Sequence, residues 1–222
     1  MTIPVVNPTV AGSEPGPAVA APDGSPTRAD ARRNRAKVMA AAQSVFAAHG
    51  VSAPMEDVAR QAGVGVGTVY RHFSTKEALV EAIVADHIGP LVEQARLGLE
   101  SDDPGGAFFR LLQALLDELV SFRPLAEAIA ATAEHLAGAR SQKDELVTLA
   151  VALLTRAQDA GTIRPDVQPE DLELLLSGLA HACDRHGGNQ GNGARYLAIV
   201  WDGLRTADPT PLGGGLLPAG GH

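Results

Sequence analysis

The chain has a single cysteine, Cys183, so no disulfide can form within it, and that usage suits a reducing compartment. No stretch reaches the roughly 18 uninterrupted apolar residues that a membrane-spanning helix requires. The first positive residue is Arg28, so the N-terminus has no basic region of the kind that opens a secretory signal, and a cytoplasmic location is expected. No segment alternates apolar and polar residues as a half-buried strand does, and no internal repeat is present. Nor do a nucleophile and a base, or two carboxylates, stand in an arrangement that suggests catalysis. An enzyme is therefore the weaker expectation, and neither a cofactor nor a metal is called for.

Hydrophobic residues make up 45% and charged residues 20%, a globular composition. A net charge of −8 is at first sight wrong for a partner of nucleic acid, but its distribution is uneven. Residues 1–31 hold one base and three acids, and residues 81–222 hold ten bases and twenty acids. Residues 32–80 hold seven bases and three acids, a local charge of +4. Positive charge gathered into one short segment is what a DNA-contacting module joined to an acidic partner domain requires.

Residues 1–27 are rich in Pro, Ala, Gly and Val and cannot bury a core, so they read as a disordered tail, as do residues 208–222. Between the tails the apolar spacing is helical. A first helix is expected over Asp30–His49, with Val38, Ala42, Val45, Phe46 and His49 on one face and Gly50 ending it. Short helices follow over Met55–Ala62 and Val66–Phe73, with Gly63-Val64-Gly65 as the turn between them. Ser74 and Glu77 match a capping box opening a fourth helix, which is kinked or broken near Gly89-Pro90 and fades by Leu99. Five more helices are expected: from Pro104 to Phe122, from Pro124 to His135, Ser141–Ala160, Pro169–Arg185 and Ala194–Ala207. The fold class is therefore all-α. The helices fall into a three-helix unit at residues 28–80 and a larger helical bundle at 81–207.

The two short helices and their glycine turn, residues 54–73, match a helix-turn-helix. Ala59 is small where the helices cross, and Gly63 can take the left-handed conformation that turns the chain. Val58, Val64, Val69 and Phe73 lock the pair together. Val66, Gly67, Thr68, Tyr70, Arg71 and His72 are left facing outward, where they can reach base edges or phosphates. Ahead of them Arg32, Arg33, Arg35 and Lys37 read either as a solvated helix face or as phosphate or minor-groove contacts.

Residues 32–80 resemble the DNA-binding domain of the TetR (tetracycline-repressor-like) family. The resemblance is carried by Ala41-Ala42, Phe46-Ala47, Gly50, Asp57-Val58-Ala59 and Ala62-Gly63-Val64. Its longest run is Gly67-Thr68-Val69-Tyr70-Arg71-His72-Phe73 followed by Ser74-Thr75-Lys76-Glu77-Ala78-Leu79. The resemblance implies that the third helix lies in the major groove, that Thr68, Tyr70 and His72 touch DNA, and that Lys76 binds phosphate. Gly65 stands where the family usually has a Ser or Thr cap, and Ala53-Pro54 where it favours a Thr. Beyond residue 80 the resemblance rests on architecture, and it implies a DNA-binding domain at 28–80 followed by a helical bundle at 81–207 for ligand binding and dimerisation. The last helix, from Arg195-Tyr196-Leu197 through Trp201-Asp202-Gly203-Leu204-Arg205, is similar to one actinobacterial-type subgroup of the C-terminal domains.

The glycines at 63–67 are not a dinucleotide fingerprint, because a helix rather than a strand precedes them. His181, Cys183 and His186 suggest a metal cluster, yet residues 181 and 183 of a helix point about 200° apart. A core cysteine and solvated histidines are the better reading. A two-fold homodimer is expected through the last two long helices, with Gly178 and Ala182 permitting close approach and Leu197, Trp201 and Leu204 as an apolar stripe. The partners expected are a palindromic DNA operator, a second copy and an unidentified, largely apolar small-molecule effector, with no membrane. The competing reading is a helical small-molecule carrier or enzyme without a DNA role.

Overall fold

The computed structural model describes residues 28–185, 190–205 and 212. The segments read above as tails, Leu212 excepted, and His186 lie outside the described residues. Among the described residues eight helices follow one another: α1 (Arg28–His49), α2 (Met55–Ala62), α3 (Val66–His72), α4 (Lys76–Leu99), α5 (Pro104–Ala133), α6 (Ala137–Asp159), α7 (Pro169–Arg185) and α8 (Gln190–Leu204). Among the described residues there is no strand, only an isolated bridge between Ile163 and Arg205.

The helix ends follow local chemistry. Gly50, Gly63 and Gly161 all take positive φ, a conformation that costs a side-chain-bearing residue steric strain. At Gly63 the N–H donates to the Arg60 carbonyl at 3.2 Å and the next N–H, of Val64, reaches back to Ala59 at 3.0 Å. That pair of bonds satisfies two carbonyls the end of α2 leaves open. Gly161 closes α6 in the same way.

Several expectations about boundaries change: α6 begins at Ala137 rather than Ser141, and α8 runs from Gln190 to Leu204 rather than from Ala194 to Ala207. The cap of α4 is Thr75, whose Oγ1 accepts from the Ala78 N–H at 3.0 Å, so the cap sits one residue later than the Ser74–Glu77 box predicts. The two helices expected on either side of Pro124 are one, α5, and α4 likewise runs through Pro90 without a break. An internal proline costs about 3 kcal/mol or more. The turns after Pro124 bury Leu125 and Ile129, and those after Pro90 bury Leu91 and Val92. Burying such side chains contributes about 1.5–3 kcal/mol each, enough to offset the lost backbone bond.

Packing divides the molecule into two main cores. The first gathers α1, α2, α3 and the start of α4, with Phe46, Val58, Val69 and Leu79 fully buried, and it also takes in Leu125 and Ile129 of α5 and Ala139 of α6. The second packs α5, α6, α7 and α8 around Phe108, Leu111, Leu153 and Leu197. Leu91, Val92 and Leu146 form a small cluster on α4 and α6. The far end of α5 thus lies in the same core as the first three helices, so the packing unit extends past residue 80. His49, grouped with the core face of the first helix, is exposed, because α1 outlasts the surface it packs against.

Candidate nucleic-acid interface

α2 and α3 cross through buried Val58, Ala59 and Val69, with Phe73 closing α3. Gly65 is the N-cap of α3 in an extended conformation without a side-chain bond, leaving the first N–H groups of the helix open. With Val69 inward, the rest of α3 faces out. Val66, Gly67, Tyr70 and Arg71 are exposed, and Thr68 and His72 are half-buried. Tyr70 is 46% exposed, a high value for an aromatic residue in a folded chain.

The arginines at the start of α1 do not act alike. Arg33 pairs with Asp30 on its own helix, and Arg32 is exposed beside a shallow cleft that also meets Asp86. Arg35 lays its guanidinium over the Phe73 ring, 4.9 Å from the centroid, while Nη1 lies 3.1 Å from the Met39 sulfur. It therefore stands beside the end of α3, where a cation–π contact and a surface charge coexist. Lys76 opens α4 and is half-buried; its Nζ donates to the Val51 carbonyl at 2.8 Å. One of its three N–H donors thus ties the start of α4 to the α1–α2 turn. Arg60 pairs with Asp57 within α2.

The residues expected at a dimer interface separate. Gly178 is exposed with nothing within 4 Å of the position a Cβ would take, and Ala182 is half-buried. Leu197 is 0% exposed and Leu204 is also buried, so neither has surface left to lose to a second chain. Trp201 is half-buried with its ring 4.8 Å from Phe109 and 6.4 Å from Phe108. Trp201 thus faces α5, and Leu197 and Leu204 are buried in the core that α8 shares with α5, α6 and α7. The outward apolar residues of these helices are Leu174 (65% exposed) and Leu175 of α7 and Ile199 (64%) of α8.

His181 and Cys183 lie on opposite faces of α7. The exposed His181 bonds through Nδ1 to Arg123 Nη1 at 3.2 Å, and Cys183 is buried. Four contacts went unread in the sequence: three join residues that only tertiary packing brings together, and one, between Arg164 and Asp166, joins residues two apart that meet only when the loop turns in one particular way. Two are the Lys76–Val51 tie and the Arg35–Phe73 contact. A third is a bidentate pair of Arg164 with Asp166, at 2.6 and 2.8 Å, to which the Leu212 N–H also donates. Those bonds hold the Asp166 carboxyl well below the usual carboxylate range, the guanidinium contributing most, and raise Arg164 in return. The fourth is a contact of His87 with Gln43 and Glu118.

A helix-turn-helix whose outward face carries the basic segment, built onto a bundle of longer helices, defines a class: DNA-binding transcriptional regulators with a separate helical domain. Residues 38–83 match "Bacterial regulatory proteins, tetR family", and residues 103–206 match "Transcriptional regulator SbtR-like, C-terminal domain". The TetR transcriptional regulator SCO0520 from Streptomyces coelicolor superimposes with a TM-score of 0.60 at 32% identity, covering 78% of this chain and 99% of its own. A TetR transcription regulatory protein from Mycobacterium vanbaalenii does so with a TM-score of 0.56 at 36% identity, covering 81% and 99%. The HTH-type transcriptional regulator UidR from Escherichia coli (strain K12) is 27% identical over 157 residues, 68% of this chain and 80% of its own length. This chain belongs to the TetR family and is a DNA-binding transcriptional regulator. Among the described residues no helix is long and apolar enough to cross a membrane.

Proposed function

We propose that this regulator is a cytoplasmic, effector-responsive repressor that binds a palindromic operator as a homodimer. The observation that carries the reading is the outward face of α3, with Thr68, Tyr70, Arg71 and His72 accessible on the most basic part of the chain. Side chains on a helix of this width reach base edges in the major groove, and Arg32, Arg35 and Lys76 supply charge for the phosphates on either side.

Dimerisation is supported by the outer faces of α7 and α8. Leu174 and Leu175 border a groove of about 460 Å³ that also meets Val200 and Gly203, and Ile199 is exposed on the same helix as these last two. A second copy seated there brings two recognition helices into successive major grooves about 34–36 Å apart.

Effector binding is supported by two clefts beside α5. One, of about 420 Å³, lies against α4, and the other, of about 350 Å³, lies against α7. The helix that lines the first, α4, begins immediately after the recognition helix, so a change in its tilt alters the spacing of the two α3 helices. The effector shifts that equilibrium only by its differential affinity for the two arrangements. The reading assigns the chain no catalytic role.

The deciding experiment titrates labelled promoter duplexes from the neighbouring genome at rising salt. Specific binding that weakens steeply with salt is expected, since each neutralised phosphate releases counterions. Binding that is absent, or flat with salt, refutes the reading.

A further inference from the structure

Three helices meet at His87. Its Nδ1 lies 2.6 Å from Oε1 of Glu118 on α5, and its Nε2 lies 3.1 Å from Nε2 of Gln43 on α1. Phe122, one turn beyond Glu118, stacks on the imidazole with ring centroids 3.9 Å apart. His87 and Glu118 are both partly shielded from water, with side-chain exposures of 23% and 27%.

The chemistry of the three groups orders them. An ionised carboxylate only accepts, so the imidazole proton facing Glu118 sits on Nδ1. In the neutral ring Nε2 is then a lone pair, and Gln43 meets it with its amide N–H. Without the Glu118 charge the ring is free to carry its proton on Nε2 instead. Gln43 then has to rotate its amide and present oxygen. The state of Glu118 is thereby written into the orientation of a side chain on α1.

The two ends of this chain of contacts have different surroundings. Gln43 lies between Ala42 and Val45, in the stretch of α1 that packs into the core shared with α2 and α3. Glu118 lines both clefts: the one against α4 with Asp86, Pro90 and Ser121, and the one against α7 with Phe122, Arg123 and Ser177. A molecule in either cleft therefore meets Glu118, and in the second it also meets the ring that stacks on His87.

We infer that Gln43, His87 and Glu118 form a positioning relay through which occupancy of these clefts reaches the DNA-binding helices. The molecule that sets it presents a hydrogen-bond donor or a cation to Glu118 beside an apolar part that displaces Phe122. The inference rests on the proposed effector-responsive reading. A donor that engages Glu118 competes with His87 Nδ1, the imidazole loses the partner that holds its tautomer, and Gln43 follows.

The test uses the full chain and a duplex that the wild-type protein selects from a random-sequence pool. Affinity for that duplex is measured for wild type, Glu118→Gln, Gln43→Ala and the double variant, each checked for cooperative melting. Glu118→Gln, which mimics engagement of the carboxylate, is expected to change affinity by at least about fivefold. In the Gln43→Ala background the same substitution is expected to change it by less than about twofold, because the pair acts through one ring. Equal changes in both backgrounds, or no change in either, overturn the relay. A second arm needs no DNA: the side-chain amide signal of Gln43 in the ¹⁵N spectrum, identified by its loss in Gln43→Ala, is expected to move in Glu118→Gln. A signal that stays in place also overturns the relay. A wild-type chain that selects no duplex counts against the regulator reading alone, and the spectrum then decides on the relay. Should Glu118→Gln fail to fold, Glu118→Asp, which draws the carboxylate back by one methylene, replaces it in both arms.

Discussion

Lys76 offers two separate readouts from one side chain. Its Nζ donates to the Val51 carbonyl at 2.8 Å, and the resemblance implies a phosphate contact for the same ammonium. Lys76→Met keeps most of the stem and removes the charge and the donors. A hydrogen bond to a charged group contributes about 1.5–3 kcal/mol. Lys76 is half-buried and water can reach the freed carbonyl, so the lower end, about 1.5 kcal/mol, is expected. For a chain of this size that lowers Tm by about 3–6 °C. On DNA, one lost phosphate contact reduces the slope of log affinity against log salt by about 0.9 per protomer, hence about 1.8 for a dimer. The loss is expected to fall about equally on all sequences, because phosphate contacts carry no sequence information. Thermal unfolding without DNA and salt titration on a duplex measure the two effects independently. An unchanged Tm refutes the weight given to the Val51 bond, and an unchanged salt slope refutes the phosphate contact.

The cap of α4 is tested by Thr75→Ala, expected to cost about 1 kcal/mol, against Ser74→Ala, expected to stay within about 0.5 kcal/mol; denaturant unfolding giving the reverse order would restore the earlier register. Leu174→Asp and Ile199→Asp are expected to yield monomers at micromolar concentration in sedimentation velocity, whereas Trp201→Ala, which removes a ring packed on Phe108 and Phe109, is expected to cost about 3 kcal/mol of stability. A dimer that survives both aspartates and is lost only in Trp201→Ala reverses the assignment of faces. The folded Asp166 carboxyl is held below its unfolded value, so its contribution to stability is present above the unfolded value and lost as pH falls toward the folded one. Wild type is therefore expected to exceed Asp166→Asn in unfolding free energy at neutral pH, with the gap narrowing below about pH 4. A gap that does not change between about pH 7 and about pH 2.5 counts against the ion pair.

How far sequence reasoning reached depended on whether the relevant forces were local. The bounds of α2, the left-handed Gly63 and the outward face of α3 follow from neighbours a few residues apart. So does the all-helical class, since apolar spacing reports helical periodicity directly. Pro124 misled because a proline is a local penalty, and what outweighs it, the burial of Leu125 and Ile129 against α1–α4, is distant in sequence. The Ser74–Glu77 pattern misled for a smaller reason: two adjacent hydroxyls compete for one cap, and only backbone geometry chooses Thr75.

The DNA-binding motif is legible in the residues alone, because a helix-turn-helix is a short, contiguous unit whose packing residues and exposed residues alternate along one chain. Which apolar stripe meets which partner is settled only when the helices pack. Leu197, Trp201 and Leu204 mark one side of α8 as buried, but an amphipathic helix records that a face is covered and not by what. Phe108 and Phe109 of α5 cover Trp201, the shared core of α5–α8 takes in Leu197 and Leu204, and Leu174, Leu175 and Ile199 are left outermost. The same holds for Gln43, His87 and Glu118, drawn from three helices and unremarkable in sequence. Hydrogen bonds between distant side chains depend on positions to within a few tenths of an ångström, which only the packed core supplies.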